Sequence, residues 1–375
     1  MSELTRRVFL GGAASAILSP AVADVVGTGP AEDSLGRIAA QSGRYYGAAV
    51  RFHQLQEEPD LRSAVLAECS SLVPEIGLNW NVVESERGNL SLQAADDLAT
   101  FAQENAKKIH GHILLWHSSV PPWAESLLGE QQDWALVRKY FSSVIPRYKK
   151  SVKQWHVANE IIDTGNREDG LRSNIFLRAF GPDYIRRALE EAHDLAPDAY
   201  LMINEYGLDY DIAVESDRRY HLLKLLEQLK NLDVPLHGVG IQGHLDLAKG
   251  PFSQQVFSSF LREIANLGLF IVISELDVKE HDYALPMDER DRLVAEEVRR
   301  YLDVALAEPA VRGVVTWGLS DRHSWLKVTE EDRARHAGAW SDYEGPGLNR
   351  GLPFDASMIR KPMYEAIASA FKLAV

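Results

Sequence analysis

The chain has 375 residues, 46% of them hydrophobic and 25% charged, which supplies a large core and argues against general disorder. Its formal net charge of −14 argues against nucleic acid or an anionic membrane surface as a partner. Cys69 is the one cysteine, so no disulfide forms within the chain.

The first segment, "TRRVFLGGAASAILSPAVAD", pairs Arg6 with Arg7 before a short apolar run from Val8 to Leu18 and a small-residue site at Ala21-Val22-Ala23. The run is too short to span a bilayer and has the layout of a secretory signal. The adjacent arginines resemble a twin-arginine signal, the alternatives being an ordinary secretory signal or an apolar N-terminal helix. Residues 1–23 are therefore expected to be a twin-arginine signal peptide read by the twin-arginine translocation machinery. The mature protein would lie in the periplasm or be secreted, with no membrane association after signal removal. Residues 24–40 are expected to be a tether.

From residue 41 to 375 no Pro/Gly/Ser-rich linker interrupts the chain, and a single domain is expected. Short β-rich runs recur at 45–50, 78–83, 109–116, 154–159, 199–206, 238–243, 269–276 and 313–318, with helical periodicity between them at 91–106, 182–196, 217–232 and 288–308. Buried parallel strands read as continuous apolar runs alternating with helices, so the fold class is α/β and the expected architecture is a (β/α)8 TIM barrel. An open doubly wound sheet is the alternative, but no Gly-rich phosphate loop follows an early strand.

In such a barrel the chemistry collects where strands end. Those ends carry Trp116 and His117, Asn159 and Glu160, Asn204, Glu205 and Tyr206, Gln242 and His244, Glu275 and Asp277, then Trp317 and Trp325. Two carboxyl groups on facing strands can break a glycosidic bond, one giving a proton to the leaving oxygen while the other attacks or activates water. Tryptophan is a natural platform for sugar rings. Taken singly, a strand-end glutamate is ordinarily a cap or a surface charge, Asn159 an Asx turn, and each tryptophan a core residue; the combination is what points to carbohydrate chemistry. A rival enzyme class is a metallohydrolase built on His110, His112 and His244, which lacks an obvious acidic ligand and leaves the tryptophans idle. His193 and His221 lie in helical segments and are expected to face solvent.

The ordered segments "HGHILLWHSSVPPW" (110–123), "WHVANE" (155–160), "MINEYG" (202–207), "VGIQGHL" (239–245), "VISELDV" (272–278) and "WGLSDRHSW" (317–325) resemble the glycoside hydrolase family 10 xylanases, retaining endo-β-1,4-xylanases on a (β/α)8 barrel. The likeness runs from about residue 45 to 370. It implies that Glu160 is the general acid/base and Glu275 the nucleophile. Asn159 would bond the 2-hydroxyl of the sugar being cleaved, His244 and Asp277 would orient Glu275, and Gln242 would bond near Glu160. His117 would bond a hydroxyl at the same sugar, Trp116, Trp317 and Trp325 would wall it, and Tyr206 would stack on the leaving-group side. Glu75 matches a sugar-binding glutamate. The resemblance implies no cofactor and no metal, and a xylan-like polysaccharide or oligosaccharide as substrate.

Four positions depart from that pattern: Ile76 stands for an Asn, Asn79 for a Lys, Ser119 for a Gln and Gly207 for an Asn. All remove polar contacts to sugar, which points to altered glycone recognition with the reaction preserved. The alternatives are a retaining β-glycosidase or transglycosylase acting on a decorated or non-xylan β-glycan, and a catalytically inactive carbohydrate-binding barrel.

Overall fold

Eight apolar-rich runs form the strands β1 (Tyr45–Val50), β2 (Ser71–Pro74), β3 (Lys108–Gly111), β4 (Val152–Asn159), β5 (Tyr200–Glu205), β6 (Gly238–Ile241), β7 (Phe270–Lys279) and β8 (Val311–Thr316) of a computed structural model that describes residues 33–282, 285–326 and 349–374. Each strand pairs in parallel with the next, and β8 closes the ring by pairing with both β7 (Val311↔Ile271) and β1 (Tyr45↔Gly313). Helices such as Gln93–Glu104, Tyr184–Leu195, Ala213–Asn231 and Met287–Ala305 run between the strands. This is the (β/α)8 barrel that the alternation of patterns implies.

The second strand is displaced from its expected place. It is Ser71–Pro74, ended by a proline with no N–H to continue a ladder. The run at 78–83 instead turns into the short helix Trp80–Val83, with the Val82 and Val83 N–H groups donating to the Asn79 carbonyl at 2.9 Å. Trp80 and Val83, three apart and both buried, share one helical face. The third expected strand, 109–116, is split: β3 stops at Gly111, and Leu115–Trp116 rejoins the sheet against Ala158 and Asn159.

Residues 35–40 are not a tether. Leu35–Gln41 is a helix whose Leu35, Ile38 and Ala39 are buried. The Leu35 N–H donates to the buried Glu68 carboxylate at 2.9 Å, as do the Tyr364 hydroxyl at 2.9 Å and Arg360 at 2.7 Å. One carboxylate thus ties the first helix to the closing helix Pro362–Leu373. The expected signal, 1–23, lies outside the described residues, as does the tether to residue 32.

Side chains on the strands alternate between two cores. Ala48, Leu72, Leu201, Ile271 and Val314 pack toward the helices. Their neighbours Ala49, Val73, Met202, Val272 and Val315 form a separate cluster that the alternation places inside the barrel. Two strands break this alternation near their ends, and the breaks set the site. In β4, His156 faces Met202 but Ala158 faces Ile203, so one extra residue is accommodated; Val157 and Ala158 both pack outward and Asn159 returns inward opposite Asn204. In β7, Val314 faces Ile273 but Thr316 faces Leu276, which resets the alternation. Leu276 and Val278 pack outward, so Glu275 and Asp277 point in. Bulges of this kind re-aim side chains, and here they aim the site.

Candidate active site

Asn159 and Glu160 are consecutive, so an extended strand would send them to opposite sides. Glu160 instead adopts a left-handed backbone, φ 53°, with its N–H donating to the Asn204 carbonyl at 2.9 Å. A non-glycine residue there is uncommon and is held by its surroundings. The turn brings the carboxyl back beside its neighbour: Glu160 Oε1 accepts from Asn159 Nδ2 at 3.2 Å and from Gln242 Nε2 at 3.4 Å. Arg172 fastens the turn by donating to the Glu160 carbonyl at 2.7 Å and to the Tyr206 hydroxyl at 2.9 Å. Glu205, fully buried, receives the Ile162 N–H at 2.9 Å just beyond it.

Across the barrel Glu275 is buried and held at both oxygens. Oε1 accepts from Asn204 Nδ2 at 2.6 Å, and Oε2 meets His244 Nε2 at 3.3 Å. His244 Nδ1 lies 2.7 Å from Asp277 Oδ1, and Asp277 Oδ2 accepts from the Trp325 indole N–H. Burial alone would depress the His244 pKa, but the charge of Asp277, their hydrogen bond and Glu275 raise it to about 10. At neutral pH it is therefore a cation donating from both nitrogens.

The two glutamates are driven apart by these surroundings. Burial, first of all, raises the Glu160 pKa above the ordinary glutamate value, and the charge of Glu275 adds to it against the pull of Trp116 and Gln242. Burial pushes Glu275 the same way, but the His244 hydrogen bond, the electrostatic pull of His112 and His244, and the Asn204 hydrogen bond outweigh it and leave it below the ordinary value. The surroundings favour the protonated form of one carboxyl and the ionised form of the other, the arrangement that acid-and-nucleophile chemistry uses.

Both open onto a cleft of about 480 Å³. Of the residues expected from the sequence, Glu75, Trp116, Asn159, Glu160, Tyr206, Gln242, His244, Glu275, Trp317 and Trp325 line it. Asp277 stands behind His244. Glu75 is buried and receives Arg51 at 2.7 Å. His117 is not on the wall: it lies against Trp116, its Nδ1 is buried without a partner, and burial pushes its pKa down to about 4. His112 lines the cleft instead, its ring 5.0 Å from that of Trp317. Ile76 and Asn79 are on the wall, whereas Ser119 and Gly207 are not. His193 and His221 are half-buried, His221 3.5 Å from Asp217.

Sequence reasoning gave no role to Asn204, whose one amide serves three partners: Nδ2 donates to Asn159 Oδ1 at 2.8 Å and to Glu275, and Oδ1 accepts from Ser274 at 2.6 Å. Gly240 makes room for it, since a Cβ there would meet Asn204 Oδ1 at 2.0 Å. The inward parity shared by Met202 and Asn204 was the available signal. Nor do His110, His112 and His244 converge as metal ligands: His112 faces His156, His244 is spent on carboxylates, and His110 lies edge-on to Tyr45. No group of His, Cys, Asp or Glu able to hold a metal occurs among the described residues.

Comparison with known proteins agrees in sequence and in shape. The glycosyl hydrolase family 10 model matches residues 34–370. Endo-1,4-beta-xylanase 1 of Humicola insolens is 30% identical over 356 residues, 92% of this chain and 76% of that one. Endo-1,4-beta-xylanase B of Thermotoga neapolitana is 30% identical over 329 residues, 86% of each chain. Among solved structures, xylanase 10B of Thermotoga petrophila RKU-1 in complex with xylobiose superposes with a TM-score of 0.79 at 27% identity, covering 91% of this chain and 97% of that one. Native xylanase 10B of Thermotoga maritima gives 0.77 at 27% identity, covering 91% and 98%. A match running from the first described helix to the closing one leaves no part of the barrel outside it: the chain belongs to glycosyl hydrolase family 10 and is a glycoside hydrolase.

Proposed function

We propose that the protein is a retaining endo-1,4-β-xylanase-type enzyme that cleaves β-1,4 xylosidic bonds by double displacement. Glu275, held ionised by His244 and Asn204, attacks the anomeric carbon. Glu160, whose protonated form burial favours, gives its proton to the departing oxygen, so that bond formation to carbon and bond cleavage to oxygen are matched by one proton transfer. Water then enters on the same face, Glu160 takes its proton, and the glycosyl-enzyme bond to Glu275 breaks. Asn159 bonds the 2-hydroxyl, a contact that gains strength toward the transition state. Gln242 holds Glu160, Asp277 holds His244, Trp116, Trp317 and Trp325 wall the sugar, and Tyr206 stacks on the leaving-group side.

The observation that carries this reading is the opposite displacement of two carboxyl pKa values in one cleft. The xylobiose complex of a structural relative favours a xylan-like substrate. Ile76 and Asn79 on the cleft wall favour glycone recognition that differs from that of relatives with Asn and Lys there, hence a decorated xylan or another β-glycan as the preferred polymer. Export through the twin-arginine route, with residues 1–23 removed, completes the proposal; Arg6, Arg7 and the Val8–Leu18 run support it.

The test is reducing-sugar release from glucuronoxylan, arabinoxylan, mixed-linkage glucan and cellulose, run beside Glu275→Ala. Xylo-oligosaccharides released by the parent alone are the expected result. Release unaffected by Glu275→Ala would remove the nucleophile assignment, and binding of oligosaccharide without turnover would make the chain an inactive barrel.

A further inference from the structure

Beneath the cleft, His112 and His156 form a buried pair. Their Nδ1 atoms are 2.9 Å apart with the rings nearly perpendicular, at 81°. His112 lines the cleft, whereas His156 sits inside the barrel just before the β4 bulge, and its Nε2 is buried with no partner. Two nitrogens this close need one N–H and one lone pair between them, so the tautomer of one ring dictates that of the other.

Two neutral arrangements satisfy that bond. In the first, His156 donates from Nδ1 and keeps a bare Nε2, while His112 carries its proton on Nε2. In the second, the roles reverse: His156 holds an orphaned Nε2–H in the interior, and His112 turns a lone pair away from the pair. An orphaned buried N–H is the rarer defect compared with an under-satisfied acceptor. The negative charges that face His112 are Glu275 from β7 and Glu75 from the loop after β2; the charge of opposite sign is His244 beside β7. His156 is faced by His112 and by His110 of β3. The two carboxylates favour an N–H, rather than a lone pair, on the far side of His112. Burial lowers the pKa of both rings, which favours the neutral pair.

We infer that His156 is a positioning residue that fixes the tautomer of His112, so that its Nε2–H, and not a lone pair, is offered to a hydroxyl of the bound sugar. The substrate half of this statement rests on the proposed function; the tautomer half does not.

Two measurements test it. Long-range proton–nitrogen NMR on the isotope-labelled full chain, with the His112 signal identified by its loss in His112→Gln, is expected to show a neutral Nε2–H tautomer at neutral pH. An Nδ1–H tautomer, or an imidazolium at neutral pH, overturns the inference. The isosteric variants His156→Asn and His156→Asp separate a donor from a pure acceptor at the same place. The Asn variant is expected to keep the neutral Nε2–H tautomer of His112, while the Asp variant, whose charge would face His112 as Asp277 faces His244, is expected to turn that ring into an imidazolium with protons on both nitrogens at neutral pH. A His112 signal unchanged from the parent in both variants would reduce His156 to a packing residue. Should the parent turn over no β-glycan at all, the functional reading fails, and the NMR result decides the tautomer by itself.

Discussion

Asn204 Nδ2 lies 2.6 Å from Glu275 Oε1 and 2.8 Å from Asn159 Oδ1, so one amide joins the carboxylate of β7 to the residue that precedes Glu160. Its orientation is fixed chemically: a carboxylate only accepts, so the nitrogen must face Glu275, and Ser274 takes the oxygen. Asn204→Asp would place a second negative charge against Glu275. The acid limb of the kcat/KM profile is expected to move to higher pH, because a like charge favours the protonated form. Asn204→Ala should lower kcat by about 10- to 100-fold, the range for a hydrogen bond to a charged group, and pH–rate profiles of the two variants check both effects.

The opposed glutamates set the shape of the parent profile. Glu275 must be ionised, and its lowered pKa puts the acid limb below the ordinary glutamate value; Glu160 must be protonated, and its raised pKa puts the alkaline limb above it. Glu160→Gln should abolish the alkaline limb. The accompanying loss in rate should be much smaller on aryl glycosides, whose leaving group needs no proton, than on xylan. A surviving alkaline limb would assign the acid to another group.

His244 links the site to stability. Its pKa in the folded protein is about 10 against an ordinary value of 6.5, so folding favours the protonated form. That contribution is complete below about pH 6.5 and is lost as the pH rises through about 10. Urea midpoints should therefore fall between these limits for the parent and change less for His244→Gln. A parent midpoint that rises over this window would contradict the pairing with Asp277 and Glu275.

The ring of strands was legible because buried parallel strands and their helices leave different periods, and the likeness from residue 110 onward was legible because each motif sits at a strand end. What was not legible is instructive. Trp80 and Val83 belong to a helical turn, yet six residues are too few to separate a period of 3.6 from one of 2. The bulges in β4 and β7 leave no composition signal, although they decide that Asn159, Glu275 and Asp277 face inward. His117 looked the better ligand because it follows the strand end directly; the chain's path between Gly111 and Leu115 puts His112 on the wall. Leu35 and Ile38 read as tether because their burial depends on Glu68 and Tyr364, far away in sequence.

That last contact gives a test of the domain boundary. Glu68→Ala leaves the Leu35 N–H and Tyr364 hydroxyl without their acceptor and should cost about 1–3 kcal/mol, read as a lowered melting temperature. A chain beginning at residue 33 should melt like the mature protein, whereas one beginning at residue 42 should melt lower. Equal melting of the two truncations would return residues 35–40 to the status of a tether.

The cleft wall offers a gain rather than a loss. Asn79 is on the cleft wall, and its buried Oδ1 has no partner, so that no hydrogen bond to this oxygen is lost on replacing it. Ile76→Asn combined with Asn79→Lys should raise kcat/KM on unsubstituted xylo-oligosaccharides by about tenfold for each sugar hydrogen bond gained, with most of the change in KM. Unchanged efficiency would mean that these positions do not shape glycone recognition.

The most direct test of the two-glutamate double displacement is the anomeric configuration of the first product, followed by proton NMR during early hydrolysis of a β-1,4-xylo-oligosaccharide. Attack by Glu275 and then by water inverts the anomeric carbon twice, so the β-anomer should appear first and drift to the equilibrium mixture. The α-anomer as first product would mean a single displacement by water, and Glu275 would then be a base and not a nucleophile.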